Sequence, residues 1–226
     1  MPRDTLTRDQ IVQAAIELLD TEGLEGLNMR ALGRRLVSAA TAVYWHVQNK
    51  DNLVLLATDR VWGELTLPDL DHVGWRAAAE SMATDLYGMF VRHTWLVQVF
   101  AVHVVYGESK ARHDDRSLAV FEAAGFTGAR ADQAAASVFT YVLGNAAGAT
   151  ASASLARSLA GGGPTAELQL QGAMDKAREI AAQYPYLRAR LDTHAASDYA
   201  ASPERTFEFG LEALLDGLER RTASGR

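Results

Sequence analysis

Hydrophobic residues recur at helical spacing along most of the chain, and in its N-terminal quarter they outline four short helices. Thr7 begins a capping-box pattern ahead of the first helix, which we expect to end at Gly23. Asn28 is the predicted N-cap of the second helix, the third covers residues 40–47, and Asn49 is the predicted N-cap of the fourth. Short helices joined by tight turns in this order are typical of a helix-turn-helix bundle.

The rest of the chain is also helical in pattern, and no strand pattern interrupts it. The segment TLPDLDHVG is rich in turn-forming residues and is the predicted connector between the two parts. The helices predicted after it cover residues 74–92, 94–107, 111–125, 128–158, 166–183, 186–194 and 203–221. Three glycines and a proline in SLAGGGPT predict a mobile loop at residues 158–165.

Charge is distributed unevenly along the chain. The formal net charge is −6, yet residues 28–50 contain three arginines and one lysine and neither aspartate nor glutamate. This segment coincides with the second and third predicted helices. A basic patch without acids on an acidic protein indicates a surface that faces DNA phosphates.

The composition excludes several other classes of protein. Without cysteine the chain forms no disulfide, thiolate metal site or cysteine nucleophile. The motifs HExxH and GxSxG and a phosphate-binding glycine loop are missing, and the six histidines are scattered. We therefore expect neither an enzyme nor a protein that carries a metal or another cofactor. The polar start MPRDTLTRDQ and the short apolar run at residues 96–106 predict a cytoplasmic protein without membrane contact.

Two strings in the basic region resemble a known family. GLEGLNMRALGRRL and VYWHVQNKDNL are similar to the helix-turn-helix of the tetracycline repressor family of bacterial regulators, for which YWHVxNKxxL is a fairly specific string. Trp75, AVFEAAGF and FEFGLEALLDGLE resemble, in that order, the family's ligand-binding and dimerisation domain. The resemblance implies a transcriptional regulator, most simply a repressor that a small hydrophobic or amphipathic ligand releases from a palindromic operator.

The implied architecture is all-α and has two domains. An N-terminal three-helix helix-turn-helix DNA-binding domain occupies residues 1–66 together with a fourth, joining helix. A larger helical effector-binding and dimerisation domain occupies residues 67–226.

The resemblance assigns DNA contacts to the predicted third helix and its flanks. Carried over by position, these residues are Arg30, Thr41, Tyr44, Trp45, His46 and Lys50. His46 would also suit a structural role inside the bundle, and Trp45 would suit packing against the fourth helix. Arg34 and Arg35 fit solvated surface charges better than DNA ligands.

The turn before the third helix departs from the family pattern. Val37 and Ser38 stand where a glycine and a buried valine are usual, and Ala39 stands where a serine often caps the recognition helix. A β-branched residue in a left-handed turn costs about 1–2 kcal/mol, so we expect a strained turn or one of different shape. An alternative function therefore stays open: an all-helical small-molecule binding protein with weak or lost DNA binding.

Two predicted helices favour self-association. The last has an apolar stripe, and the helix from residue 130 is rich in small residues that let a partner helix approach closely. The residues assigned to a homodimer interface are Gly144, Gly148, Phe207, Leu211, Leu214, Leu215 and Leu218. The same stripe would also suit an ordinary core helix. A twofold dimer would present two recognition helices to successive major grooves of palindromic double-stranded DNA.

Apolar side chains with isolated polar groups on the middle helices predict an effector cavity. The predicted lining is Met82, Leu86, Phe90, Phe100, His103, Phe121 and Phe139. The alternative is that these residues only fill the core. In the family's tetracycline-binding members, the histidine that holds magnesium corresponds to a position near Phe100, so we expect no metal and an unidentified organic effector.

Overall fold

The computed structural model describes residues 6–36, 40–191 and 203–223, and its regular elements there are all helices, as predicted. The helices are α1 (Arg8–Gly26), α2 (Met29–Arg35), α3 (Ala40–Val47), α4 (Lys50–Trp62), α5 (Trp75–Arg92), α6 (Trp95–Val102), α7 (Glu108–Ala123), α8 (Ala129–Ala181), α9 (Pro185–Leu191) and α10 (Pro203–Ala223). Among the described helices, none combines the length and apolar content that crossing a membrane requires.

Local capping defines the N-terminal helices where the sequence places them. The Thr7 hydroxyl accepts the backbone N–H of Gln10, whose side chain accepts the N–H of Thr7, so the predicted capping box is confirmed. Asn28 and Asn49 cap α2 and α4 through their side-chain oxygens, as predicted. Gly23 interrupts α1 with a φ of 70°, and one further turn follows it.

The first four helices pack around shared apolar side chains at one end of a continuous core. α1 contributes its apolar face to this core, including the fully buried Ile11. Val43 and Val47 of α3 are also fully buried, which confirms the inward face that their spacing of four predicted. Because these two valines fix the rotation of α3, the remaining faces of that helix point away from the bundle.

The larger part of the same core lies among α5, α7, α8 and α10. Phe207 of α10 lies between two tyrosines there, with ring centroids 4.2 Å from Tyr87 and 5.8 Å from Tyr141. Arg76 of α5 adds ion pairs to Asp216 and Glu219 of α10. α10 is therefore attached to its own chain by both apolar and charged contacts.

The buried stripe of α10 does not form the dimer interface to which it was assigned. Four of the five stripe residues are buried within the single chain, and they are Phe207, Leu211, Leu215 and Leu218. A side chain that already packs in its own core cannot cover a partner, so these four are core residues. Leu214 is half-buried, while Gly144 and Gly148 of α8 are exposed.

α8 replaces the loop predicted at residues 158–165. The helix is continuous over 53 residues, except for one non-helical residue, Gly163, whose φ is 63°. The loop prediction was wrong because a single glycine in the left-handed region kinks a helix without ending it. Beyond the kink, Leu168, Met174 and Ile180 are exposed.

The N-terminal bundle is joined to the rest of the chain by a polar cluster. The Asp20 carboxylate of α1 accepts the indole N–H of Trp95 at 2.7 Å and lies 2.7 Å from Nδ1 of His93. Nε2 of His93 lies 3.5 Å from the Glu64 carboxylate. His93 and Trp95 flank the start of α6, so α1 is held against that helix.

Candidate functional site

The third helix presents large side chains to solvent. With Val43 and Val47 directed inward, Tyr44 is 48% exposed and Trp45 is 84% exposed. Exposing an indole to this extent forfeits the free energy of burying it. The alternative in which Trp45 packs on the fourth helix is therefore wrong, and both aromatic side chains are available to a partner.

Other predicted DNA contacts flank these two aromatic residues. Arg30 of α2 is exposed, and His46 is half-buried with its ring in an edge contact with Trp45. The Lys50 ammonium donates to the backbone carbonyl of Leu24 at 2.8 Å. An ammonium has three donors, so two of them stay available for phosphate oxygens. The side chain of Thr41 lies outside the described residues.

Two local features at α2 and α3 were not predicted from the sequence. The Arg35 guanidinium bonds the Glu17 carboxylate of α1 at 2.6 Å, and this bond holds the pKa of Glu17 below its usual value. At the end of α3, Gln48 has a φ of 65°, an unusual value for a residue with a side chain. The turn at residues 37–39, where we expected strain, lies outside the described residues.

A second candidate site is a cavity of about 310 Å³ between α5, α7 and α8. Five of the seven predicted effector residues line it: Met82, Leu86, Phe100, Phe121 and Phe139. The volume lies within the range of roughly 300–1,000 Å³ that is usual for small-molecule sites. These five side chains therefore border a space instead of only filling the core.

Two predicted lining residues are not in the cavity wall. Phe90 is fully buried and packs behind the wall, with its ring centroid 5.8 Å from Phe100 and 6.5 Å from Phe139. His103 is not among the lining residues because α6 ends at Val102, earlier than predicted. The backbone is extended at His103, so this residue does not continue the helical face of Phe100.

The polar part of the wall was missed by sequence reasoning. It consists of Lys110, His113, Asp114, Ser117 and Asp132. The first four share one face of α7 with Phe121, because they are spaced at three and four residues. That spacing from the predicted Phe121 was the signal available in the sequence.

Lys110 and Asp114 neutralise each other in this wall. Their side chains form an ion pair one turn apart, and the ammonium lies 6.0 Å from the centroid of the Phe139 ring. Burial raises the pKa of Asp114, but His113 and Lys110 outweigh it, and the pKa lies below its usual value. Asp114 is therefore a carboxylate at neutral pH.

Two known family models match most of the chain. Residues 11–57 match the family model of bacterial regulatory proteins of the tetR family. Residues 67–222 match the model of the tetracyclin repressor-like C-terminal domain. The chain belongs to the tetR family. The resemblance seen in the sequence is thereby confirmed, as is its implication of a DNA-binding transcriptional regulator.

Several similar tetR-family proteins come from Streptomyces species. The transcriptional repressor DrrR1 of Streptomyces coeruleorubidus is 32% identical over 100% of this chain and 82% of its own length. The crystal structure of apo ActR from Streptomyces coelicolor has a TM-score of 0.76 and 26% identity, covering 99% of this chain and 100% of that one. ActR in complex with actinorhodin has a TM-score of 0.74 and 26% identity, covering 96% of each chain.

Proposed function

We propose that this tetR-family regulator is a homodimeric repressor that leaves a palindromic operator when a small organic ligand occupies the cavity among α5, α7 and α8. The observation that carries the proposal is the cavity in the same chain as a solvent-facing recognition helix. In this proposal residues 1–66 bind DNA, and residues 67–226 bind the effector and form the dimer. The protein acts in the cytoplasm as a regulator, with no catalytic step.

The DNA side of the proposal rests on charge and exposure. Arg30 and Lys50 supply positive charge beside α3, and no acidic residue lies between them in the chain. Phosphate contacts of this kind position a protein on DNA, while base edges give sequence specificity. We infer that Tyr44 and Trp45 approach the DNA because the fixed rotation of α3 leaves them exposed.

The ligand side rests on the cavity and is supported by a structural neighbour. ActR has been crystallised both as the apo protein and in complex with actinorhodin. By analogy, this chain takes an organic molecule into its cavity, whose wall is mostly apolar with a few polar groups.

Contacts of α4 provide a route from the cavity to the DNA-binding helices. The Asp59 carboxylate of α4 accepts the backbone N–H groups of Ser109 and Lys110 at 2.9 and 3.0 Å, and so caps α7. Lys110 itself lines the cavity. The Trp62 ring, also on α4, lies 5.4 Å from the ring of Phe100 in the cavity wall. A ligand that moves the start of α7 or the Phe100 ring therefore acts directly on α4, the helix that follows α3.

The proposed dimer interface consists of the exposed faces of α8 and α10. Gly144 of α8 is exposed, and a Cβ built on it meets no atom of its own chain. Phe209 is 77% exposed on α10. We infer that these outward faces, and not the buried leucine stripe, pair with a second copy in an isologous four-helix arrangement.

Replacing Gly144 by leucine should separate the dimer without unfolding the chain. The added side chain occupies the space that a partner helix would use. The helix itself should not be weakened, because leucine favours a helix over glycine by roughly 0.8–1 kcal/mol. Sedimentation should show monomers with undiminished helix content. Gly172→Leu is the matched control because Gly172 is also an open position on α8. A Gly144→Leu dimer as tight as the parent would place the interface elsewhere.

Tyr44→Ala tests the docking face. We expect weaker binding to a palindromic operator and, if one phosphate contact is lost, a salt dependence reduced by about one unit in slope. Helix content and dimerisation should be unchanged because Tyr44 is half exposed. Tyr184→Ala, at an exposed tyrosine beyond the kink of α8, is the matched control.

The same titration separates two classes of function. A parent protein whose affinity for the operator falls steeply with salt is a DNA-binding regulator. A parent protein that binds no operator selected from random DNA would favour the alternative, a helical small-molecule binding protein without DNA affinity. A Tyr44→Ala variant that binds like the parent would refute the docking face alone.

A further inference from the structure

His113 is an unsatisfied polar group in the wall of the effector cavity. His113 is 6% exposed, and neither of its ring nitrogens has a hydrogen-bond partner among the described residues. Nδ1 lies 3.8 Å from the nearest Asp114 oxygen, close enough to help lower the pKa of that carboxyl but too long for a hydrogen bond. Buried polar groups are nearly always paired in folded proteins. Both nitrogens are shielded from solvent, so the ring must turn toward the cavity that its side chain lines in order to pair with a ligand that enters.

The chemistry of the ring restricts that partner. A neutral imidazole has one donor and one acceptor nitrogen. Its partner therefore carries a hydroxyl, a phenol or a comparable group able to hydrogen bond. Ser117, one turn further along α7, also lines the cavity and adds a second hydroxyl to the same face.

The charge of the wall restricts the partner further. Among the side chains that the structure describes, the wall contains two carboxylates, Asp114 and Asp132, and one ammonium, that of Lys110. Lys110 is already paired with Asp114. The wall therefore has no excess positive charge whether or not His113 is protonated, and an anionic ligand would meet no uncompensated cation.

The apolar part of the wall restricts the shape of the partner. Phe100, Phe121 and Phe139 border the cavity together with Met82 and Leu86. Aromatic rings pack well against aromatic and thioether side chains. The complementary ligand is consequently flat and aromatic on this side and polar only where it meets α7.

We propose that the effector is an uncharged or cationic hydroxylated aromatic compound, which His113 anchors by a hydrogen bond and which the cavity prefers over carboxylated analogues. This inference rests on the proposed function, since it specifies the ligand of the same cavity. The specificity-determining residue is then His113 of α7, and the carboxylate of Asp132 contributes to the discrimination by charge.

A matched ligand series tests the preference in the full-length protein. The four probes are phenanthrene derivatives substituted at the same carbon by hydroxyl, methoxy, carboxylate or aminomethyl groups. We expect the phenol to bind roughly tenfold tighter than the methyl ether, because only the phenol donates to the imidazole. The carboxylate should bind roughly tenfold more weakly than the aminomethyl compound. Calorimetry or quenching of tryptophan fluorescence measures all four affinities.

Two substitutions of His113 make the test specific to that side chain. His113→Phe should abolish the preference for the phenol over the ether while leaving the affinity for the ether unchanged or higher. His113→Gln keeps a donor and an acceptor and should retain part of the preference. His103→Phe is the matched control, at a half-buried histidine outside the cavity wall, and should leave the preference intact.

The outcomes separate this inference from the function on which it rests. Equal affinities for phenol and ether in the parent, or a phenol preference that survives His113→Phe, would overturn the role of His113. A carboxylate that binds tightest would overturn the charge preference. Operator binding by the ligand-free parent, measured in parallel, tests the regulator itself and does not depend on either result.

Discussion

Replacing Leu211 by arginine should prevent folding and should not release folded monomers. Leu211 is 3% exposed and lies in the core that α10 forms with its own chain. An unpaired charge placed there costs several kcal/mol, and a typical domain is stable by only about 5–15 kcal/mol in total. We expect loss of the cooperative thermal transition, or aggregation, in circular dichroism and size-exclusion measurements.

Phe209→Arg on the same helix is the matched control. Phe209 is 77% exposed in the single chain, so the arginine does not enter the core and the fold should persist. The chains should separate instead, because Phe209 lies on the proposed dimer face. A soluble Leu211→Arg variant that sediments as a monomer with the helix content of the parent would contradict the assignment. It would return the leucine stripe to the dimer interface.

Replacing Asp59 by alanine should weaken the link between ligand and operator. The variant loses both hydrogen bonds that hold the first turn of α7 to α4. The free energy that couples two binding sites in a protein is usually about 1–3 kcal/mol. Because the variant loses one of the two contacts from α4 to the cavity, the ligand's effect on operator affinity should fall by roughly tenfold. Stability should fall by about 1 kcal/mol, as for other lost helix caps.

Asp59→Asn is the control, because its side-chain oxygen can still accept both N–H groups. The measurement is operator affinity with and without saturating phenanthrol for all three proteins. Reciprocity requires that the phenanthrol affinity change by the same factor when the operator is bound. An Asp59→Ala variant with full coupling would mean that the Trp62 and Phe100 rings, or α6, carry the signal without the cap.

Features determined by neighbouring residues could be predicted from the sequence. The caps at Thr7, Asn28 and Asn49 depend on atoms within three residues, and all three were found where expected. The inward face of α3 followed from the spacing of Val43 and Val47, because helical periodicity alone sets it.

Features determined by distant residues could not be predicted in the same way. A leucine stripe indicates burial but not which surface covers it, and in α10 the cover is the same chain. The cavity histidine was assigned to His103 because α6 was expected to be longer. Only the early end of α6 and the packing of α7 against α5 make His113 the lining residue.

Binding of a dimer to palindromic DNA through α3 is tested most directly by selecting DNA from a random pool with the purified protein and measuring the mass of the complex. We expect enrichment of a palindromic sequence that holds two chains, with half-sites about one helical turn apart. Binding should be lost at high salt and weakened by Tyr44→Ala. A pool that shows no enrichment, or an enriched sequence without twofold symmetry that holds a single chain, would contradict it.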